Sequence, residues 1–319
     1  MVLIGTHHQT VNENLLSLLT EKNLTEKIPS SELIPCFSRM DSMDNLARVT
    51  LCVLLSVTGA GAVELGESGS VVGVPLRGEE AIEFLTHAEI VGEPEVFDEA
   101  AITGPVRVSL TDGSRTLRAV FKHENTVYPE FRFSDGREVQ KAIDSYRNEI
   151  AAYELDRMLG LDLVPPCVER KIKSKTGSLC LWVEGSMTEA ERRERGLQPS
   201  DPVQFKGQLR EIELFQQFIA DLDYSDFRNV IVDEEARVHK VDSSMAFDAD
   251  PDLLTGLYSS SLSRRLIQAL EALDKKEMNE RLKPWLFKDQ RSALWERRNR
   301  ILKRAEKLIA DYGEEKILY

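Results

Sequence analysis

The chain has 319 residues, enough to bury a large core in one big domain or two lobes. Its 42% apolar and 30% charged content is that of an ordinary soluble protein. A net charge of −13 leaves no bulk positive face to displace counterions, so nucleic acid is not an expected partner.

Residues 1–39 are polar and lack a clear period. Residues 49–57 are almost wholly apolar and are followed by Ala60-Gly61-Ala62. With a start at Met40 or Met43, segment 43–62 has the form of a signal peptide. The other reading is a buried strand or helix in an N-terminal extension, and Asp41 and Asp44 favour it by diluting the positive charge. The run is too short to span a membrane comfortably, so no span is expected in the mature chain. Residues 59–78, rich in Gly, Val and Ser, read as a linker. This divides the chain into an extension, 1–77, and a folded part that begins near Gly78.

Residues 79–88 have helical spacing, 106–110 alternate like a strand, and Asp112-Gly113 is a hairpin signal with 117–122 returning. Residues 123–141 read as a charged loop carrying Tyr128, Phe131 and Phe133. A helix is predicted over 142–159, capped by Gly160 and followed by the Val164-Pro165-Pro166 break. Strands are predicted at 168–172 and 179–183, a charged surface segment at 186–202, and a long helix at 205–220. Two short strands follow, at 229–232 and 238–242. The chain is then helical from 260, ending in a long helix over 289–312. The basic run within 291–307 reads as the solvated side of that helix. None of the four cysteines forms a CxxC pair, so no zinc site is expected. Cys167 and Cys180 read as buried small hydrophobes on strands that could bring them together. Strands first and helices after predict an α+β protein: a small β-rich lobe, 78–185, a larger helical lobe, 186–319, and a ligand cleft between them.

Four residues in one order carry the chemistry. Lys122 ends the apolar run Ala119-Val120-Phe121, and a lone strand lysine would ordinarily snorkel to water. A buried ammonium needs a carboxylate, since desolvation costs several kcal/mol. Glu149, early in the next helix, is the natural partner. Glu154 competes, but five residues on it points about 140° away, and Glu149 adjoins the tightly packed Ile150-Ala151-Ala152-Tyr153. Asn229 and Asp242 lie at one end of two hairpin strands, where they could hold magnesium. Asp221, Asp223 and Asp226 crowd the loop before them and would repel unless a cation or a basic side chain relieved them; Arg228 is a local candidate. Gly104 could let backbone N–H groups approach a phosphate, or it could form a plain turn.

From about residue 79 to 312 the chain resembles a bacterial branch of the protein-kinase-like superfamily. It is similar to HipA-type kinases, phosphoinositide kinases and secretory-pathway casein kinases. The stretches that carry the resemblance are Arg118-Ala119-Val120-Phe121-Lys122, Asn148-Glu149-Ile150-Ala151-Ala152-Tyr153-Glu154-Leu155-Asp156, Leu179-Cys180-Leu181-Trp182-Val183-Glu184-Gly185 and Val241-Asp242-Ser243-Ser244-Met245-Ala246-Phe247. The resemblance implies a bilobal kinase-like fold and phosphoryl transfer that depends on Mg2+ and ATP. Lys122 would be the nucleotide lysine, Glu149 its partner, and Asn229 and Asp242 the metal ligands. Val183 and Glu184 would lie beside the adenine at the hinge. The acceptor would be a protein, a lipid or a small molecule, with protein Ser/Thr favoured because the chain lacks a basic membrane-binding face.

The catalytic loop departs from the family. Relatives place an aspartate five positions before the asparagine, followed by Arg-His or Arg-Asn. Here that position is Tyr224, Asp223 is six before Asn229, and no Arg or His follows it. Either the loop carries one extra residue and Asp223 is the base, with Asp226 as the fallback, or the base is lost. A catalytically dead kinase fold acting as a binding module is thus the alternative, as is adenylyl or another transfer on the same fold. A true signal peptide would favour the alternatives, since ATP is scarce outside the bacterial cytoplasm.

Overall fold

Strand alternation around one tight turn starts the architecture. In β2 (Val106–Thr111) and β3 (Thr116–Lys122) every second side chain is apolar, and the two strands pair antiparallel from Val106↔Phe121 to Thr111↔Thr116. Asp112 closes the turn by accepting from the backbone N–H groups of Ser114 and Arg115, and Gly113 takes the left-handed φ of +88° that the turn demands. The computed structural model describes residues 76–96, 104–257 and 259–319. The chain divides into two units, Met1–Gly61 and Ala62–Tyr319, and every described residue belongs to the second. Segment 43–62 lies outside the described residues.

Helix α1 (Gly78–His87) leads into β1 (Glu89–Val96), and β1 pairs with β2. With β6 (Cys167–Ile172) and β7 (Lys175–Leu181) these strands form a five-stranded sheet in the order β1-β2-β3-β7-β6. Ala81, Phe84 and Leu85 of α1 bury against Val108, Leu110, Ala119, Phe121, Val168 and Leu179 on one face. Successive side chains alternate across a sheet, so Val120 and Lys122 are presented on the other face. The larger core lies beyond that face. It joins α2 (Tyr146–Leu159), α4 (Pro202–Ile219), α5 (Arg264–Ala272), α6 (Lys275–Leu282) and α7 (Lys288–Tyr312). A sheet at the N-terminal side and helices at the C-terminal side make the α+β arrangement that the sequence predicts. Among the described residues no helix is long and apolar enough to cross a membrane.

Three segments differ from expectation. Residues 123–141 are not a loop: β4 (Asn125–Arg132) and β5 (Glu138–Ser145) form a separate antiparallel hairpin. Its strands are mostly exposed, so no apolar alternation marks them. Helix α2 consequently starts at Tyr146 rather than 142, with Ser145 as its N-cap and Gly160 as its left-handed C-cap. Segment 186–202 is more than surface. It holds β8 (Met187–Thr188) and α3 (Glu189–Glu194), and the buried Glu189 carboxylate is bracketed by Arg192 and Arg193 at 2.6 Å each.

Cys167 and Cys180 face each other across β6 and β7 and form a disulfide, with 13 residues of sequence separation. Closing a loop of that length should stabilise the fold by about 2–4 kcal/mol. Cys180→Ser, or reduction, should lower the urea midpoint accordingly, and an unchanged midpoint would show that the bridge contributes nothing. A second expectation concerns Asp156 on α2, which accepts from the N–H groups of Leu163 (3.1 Å) and Val164 (3.3 Å). Burial outweighs those bonds and pushes its carboxyl up to about 7. A raised acid contributes stability below its unfolded value and loses it as pH rises through the folded one. Wild type should therefore lose, relative to Asp156→Asn, on the order of 1–3 kcal/mol between pH 5 and 8, measured by unfolding at each pH. A pH-independent difference would contradict this.

Candidate active site

The site is built around one cation. Lys122 Nζ lies 2.7 Å from Glu149 Oε1 and 2.6 Å from Asp242 Oδ1. The lysine and glutamate side chains are 11% and 6% exposed, so each is a cost to the fold without the other. Burial alone would depress the Lys122 ammonium, but the Asp242 and Glu149 carboxylates outweigh it and hold it above the ordinary lysine value. Burial would raise Asp242, yet the Lys122 charge holds its carboxyl well below the usual range. Glu154, the competitor, turns away to Arg281 at 2.6 Å.

Helix α2 also grips the segment after Asp242. Glu149 Oε2 accepts from the Ser243 N–H at 3.0 Å, and Asn148 Nδ2 donates to the carbonyls of Ser244 (2.7 Å) and Ala246 (2.9 Å). The Ser244 hydroxyl donates to Asp242 Oδ1 at 3.1 Å. Asp242 itself has φ +54°, a conformation that a non-glycine residue holds only when its surroundings impose it. Asp144 on β5 is buried beside this group. Burial, with the Asp242 and Glu149 charges adding to it, pushes its carboxyl up to about 6.

The three loop acids are relieved in three ways. Asp221 pairs with Lys240 at 2.8 Å, and both side chains are 0% exposed. Lys240, on β10 (Val238–Lys240), also donates to the carbonyls of Val241 (2.6 Å) and Asp242 (2.8 Å), so it props the strained turn. Asp223 accepts from Asn229 Nδ2 at 2.9 Å, and its N–H donates to Asp221 Oδ1 at 3.1 Å. Burial, and then the Asp221 charge, pushes the Asp223 carboxyl up to about 6. Asp226 is held by Arg228 at 2.6 Å. Burial would raise its carboxyl, but the Arg228 bonds outweigh that and lower it. Asn229 ends a short 3-10 turn before β9 (Val230–Val232), and the Val241 N–H donates to its carbonyl at 3.0 Å. Asn229 and Asp242 thus flank the open end of the β9–β10 hairpin.

The remaining positions are less engaged. Val183 and Glu184 follow β7, on the strip between the sheet and the helices. The Val183 carbonyl accepts from the Ser186 hydroxyl at 2.6 Å, and Glu184 is bound by Arg118 of β3 at 2.9 Å. Gly104 sits just before β2 with φ +52°, two residues ahead of Val106, which pairs with Phe121 next to Lys122. A hard divalent cation takes oxygen ligands, several of them water and phosphate. The Asp242 carboxylate and the Asn229 amide oxygen fit that donor set. Sequence reasoning missed Lys240 and Asp144. Lys240 had a weaker signal than Lys122, a strand lysine with Val238 and Val241 nearby but His239 directly before it.

The fold has solved counterparts. The structure of hydra Fam20 with sugar matches with a TM-score of 0.54 at 17% identity, over 76% of this chain and 91% of that one. The Helicobacter pylori proinflammatory kinase CtkA gives a TM-score of 0.44 at 11% identity, over 72% of this chain and 99% of that one. No protein-family model and no curated protein matches the chain. The chain has a protein-kinase-like fold; at such identity the likeness concerns the fold alone.

The Asp221–Lys240 pair generates a stability expectation. Lys240→Met or Asp221→Asn leaves one partner buried without its counter-charge and should cost about 3–5 kcal/mol. The double variant should lose clearly less than the sum, as contacting residues do. Additive losses in urea unfolding would show that the two side chains do not act as a pair.

Proposed function

We propose that the protein is a phosphotransferase that uses ATP with Mg2+ and an alcohol acceptor, with protein Ser/Thr as the acceptor class. The observation that carries this reading is the shared lysine: Lys122 within 2.7 Å of Glu149 and 2.6 Å of Asp242. That is the juxtaposition a kinase-like site needs to hold phosphates beside a metal. Lys122 would bind the phosphates, Glu149 would fix the lysine, and Asp242 with Asn229 would hold the cation. The cation would neutralise charge on the transferring phosphoryl group.

Asp223 is the acceptor-side acid on this reading, because it is the loop carboxylate bonded to Asn229 while Asp226 is tied to Arg228. The acceptor oxygen would form a bond to the γ-phosphorus as the bond from the bridging oxygen breaks. The electron pair would leave with ADP and the acceptor proton would pass to Asp223. Catalysis of this kind rests mainly on positioning and charge.

A second reading is a kinase fold that binds and does not transfer. The absence of an Arg or His after Asp223 favours it. The Cys167–Cys180 disulfide points to an oxidising compartment, where such bridges persist, on either reading. Adenylyl transfer from the same site would be told apart by the mass added to an acceptor.

Thermal unfolding with and without Mg-ATP tests the site first. At about 100 times its Kd the ligand should add about 2.7 kcal/mol, and the gain should vanish in Asp242→Ala. Lys122→Ala and Asp242→Ala should each abolish phosphoryl transfer while the fold survives, and wild-type transfer in either would exclude this reading. Transfer abolished by Asp223→Ala would exclude the binding-module reading.

A further inference from the structure

The β4–β5 hairpin is inserted between the lysine strand and α2, and the site so far involves only its last residues, Asp144 and Ser145. Its end folds back onto the loop that carries Asp223. Arg137, in the turn just before the returning strand, donates through Nη1 to the Leu222 carbonyl at 2.9 Å and through Nη2 to the Ser225 hydroxyl at 3.1 Å. Its guanidinium lies 4.3 Å from the Tyr224 ring centre and 4.7 Å from that of Phe133. Asp135 orients the fork, accepting from Arg137 Nε at 2.6 Å, and it accepts from the Ser225 hydroxyl at 2.6 Å. Leu222 is buried in a small cluster with Phe133 and Ala142, against which Met245 and Leu254 pack. On its far side Tyr224 closes on Gly256, where an added Cβ would lie 1.9 Å from the phenol oxygen.

Arg137 therefore holds Leu222, Tyr224 and Ser225, the residues that bracket Asp223 in the chain. From within, the Lys240–Asp221 pair holds the base of the same loop. We propose that Arg137 is the positioning residue of the Asp223 loop, supplied in space by the hairpin where the sequence lacks a basic residue directly after Asp223. The planar fork suits the role: it reaches a carbonyl, a hydroxyl and an aromatic face at once, which a lysine cannot do. The kinetic consequence rests on the phosphotransferase reading; the ordering of the loop does not.

The test uses the full chain and two readouts. Hydrogen exchange without nucleotide is compared for wild type, Arg137→Met and the control Arg132→Met, an exposed arginine of the same hairpin. In Arg137→Met the amides of Leu222, Asp223 and Asp226 should exchange at least about tenfold faster, with α2 and α4 unchanged. Arg132→Met should match wild type. In transfer assays Arg137→Met should lower kcat about 10- to 100-fold with the KM for Mg-ATP within about twofold, as expected of a misplaced group outside the nucleotide site. Arg137→Lys should recover only part of the loss. Unchanged loop exchange, or unchanged kcat beside lost protection, would overturn the proposal. A wild type without transfer would refute the phosphotransferase reading instead, and the exchange result would then decide the role of Arg137 by itself.

Discussion

Everything in the candidate site depends on keeping one ammonium ion out of water. Lys122 is presented by a strand whose other face is occupied by α1, so its side chain has to enter the space before the helical core. A cation there costs several kcal/mol unless carboxylates meet it. Two do, and they come from elements far apart in sequence: Glu149 from α2 and Asp242 from the turn after β10. The pair of contacts thus fixes three elements at once. It also explains why the first turn of α2 is so densely bonded to the segment 243–246, through Glu149, Asn148 and the Ser145 N–H.

The second buried lysine repeats the logic one layer deeper. Lys240 cancels Asp221 and donates to two carbonyls, including that of the strained Asp242. Asp221 in turn accepts from the Asp223 N–H. One ion pair therefore joins the two acids of the proposed chemistry through the backbone rather than through their side chains. Lys240 thereby leaves the two carboxylates to other groups, that of Asp223 to Asn229 and that of Asp242 to Lys122.

Much of this was legible in the sequence because the relevant signals were local. An apolar run ending in lysine, a glutamate on the correct side of a helix, and an asparagine and an aspartate at matching ends of two short strands need only periodicity to be seen. Glu149 was separable from Glu154 because the two cannot share a helix face and Glu149 adjoins the packed stretch; Arg228 was legible as a local counter-ion for the loop acids, and the structure pairs it with Asp226. The hairpin at 125–145 was not legible. Its strands are largely solvated and Pro129 interrupts one of them, so no alternation marks it; its aromatics bury against Leu222, Met245 and Leu254, some hundred residues away. Reading that stretch as a loop also hid Asp144, which then fell inside a supposed helix. Glu189 was obscured in the same way, since a charge-rich segment reads as surface unless its two arginines are known to fold back onto it.

The two partners of Lys122 are not equivalent, and the difference bears on how a polyphosphate would be received. Glu149 is 6% exposed and its second oxygen is taken by the Ser243 N–H, so it is a permanent partner. Asp242 is 43% exposed and meets the lysine through one oxygen. With two carboxylates on one ammonium, and with Asp144 and Asp223 close to them, the site is rich in acidic groups. An unaccompanied polyphosphate would be repelled there. On the proposed reading a divalent cation would take Asp242, leaving the ammonium to the phosphates while Glu149 keeps the lysine in place. A lone glutamate partner would hold the lysine but offer the cation no seat, and a lone aspartate would lose the lysine when the cation arrived. On that reading, the division of labour between a buried acid and an accessible one would let one lysine be stable before a polyphosphate arrives and available to it afterwards.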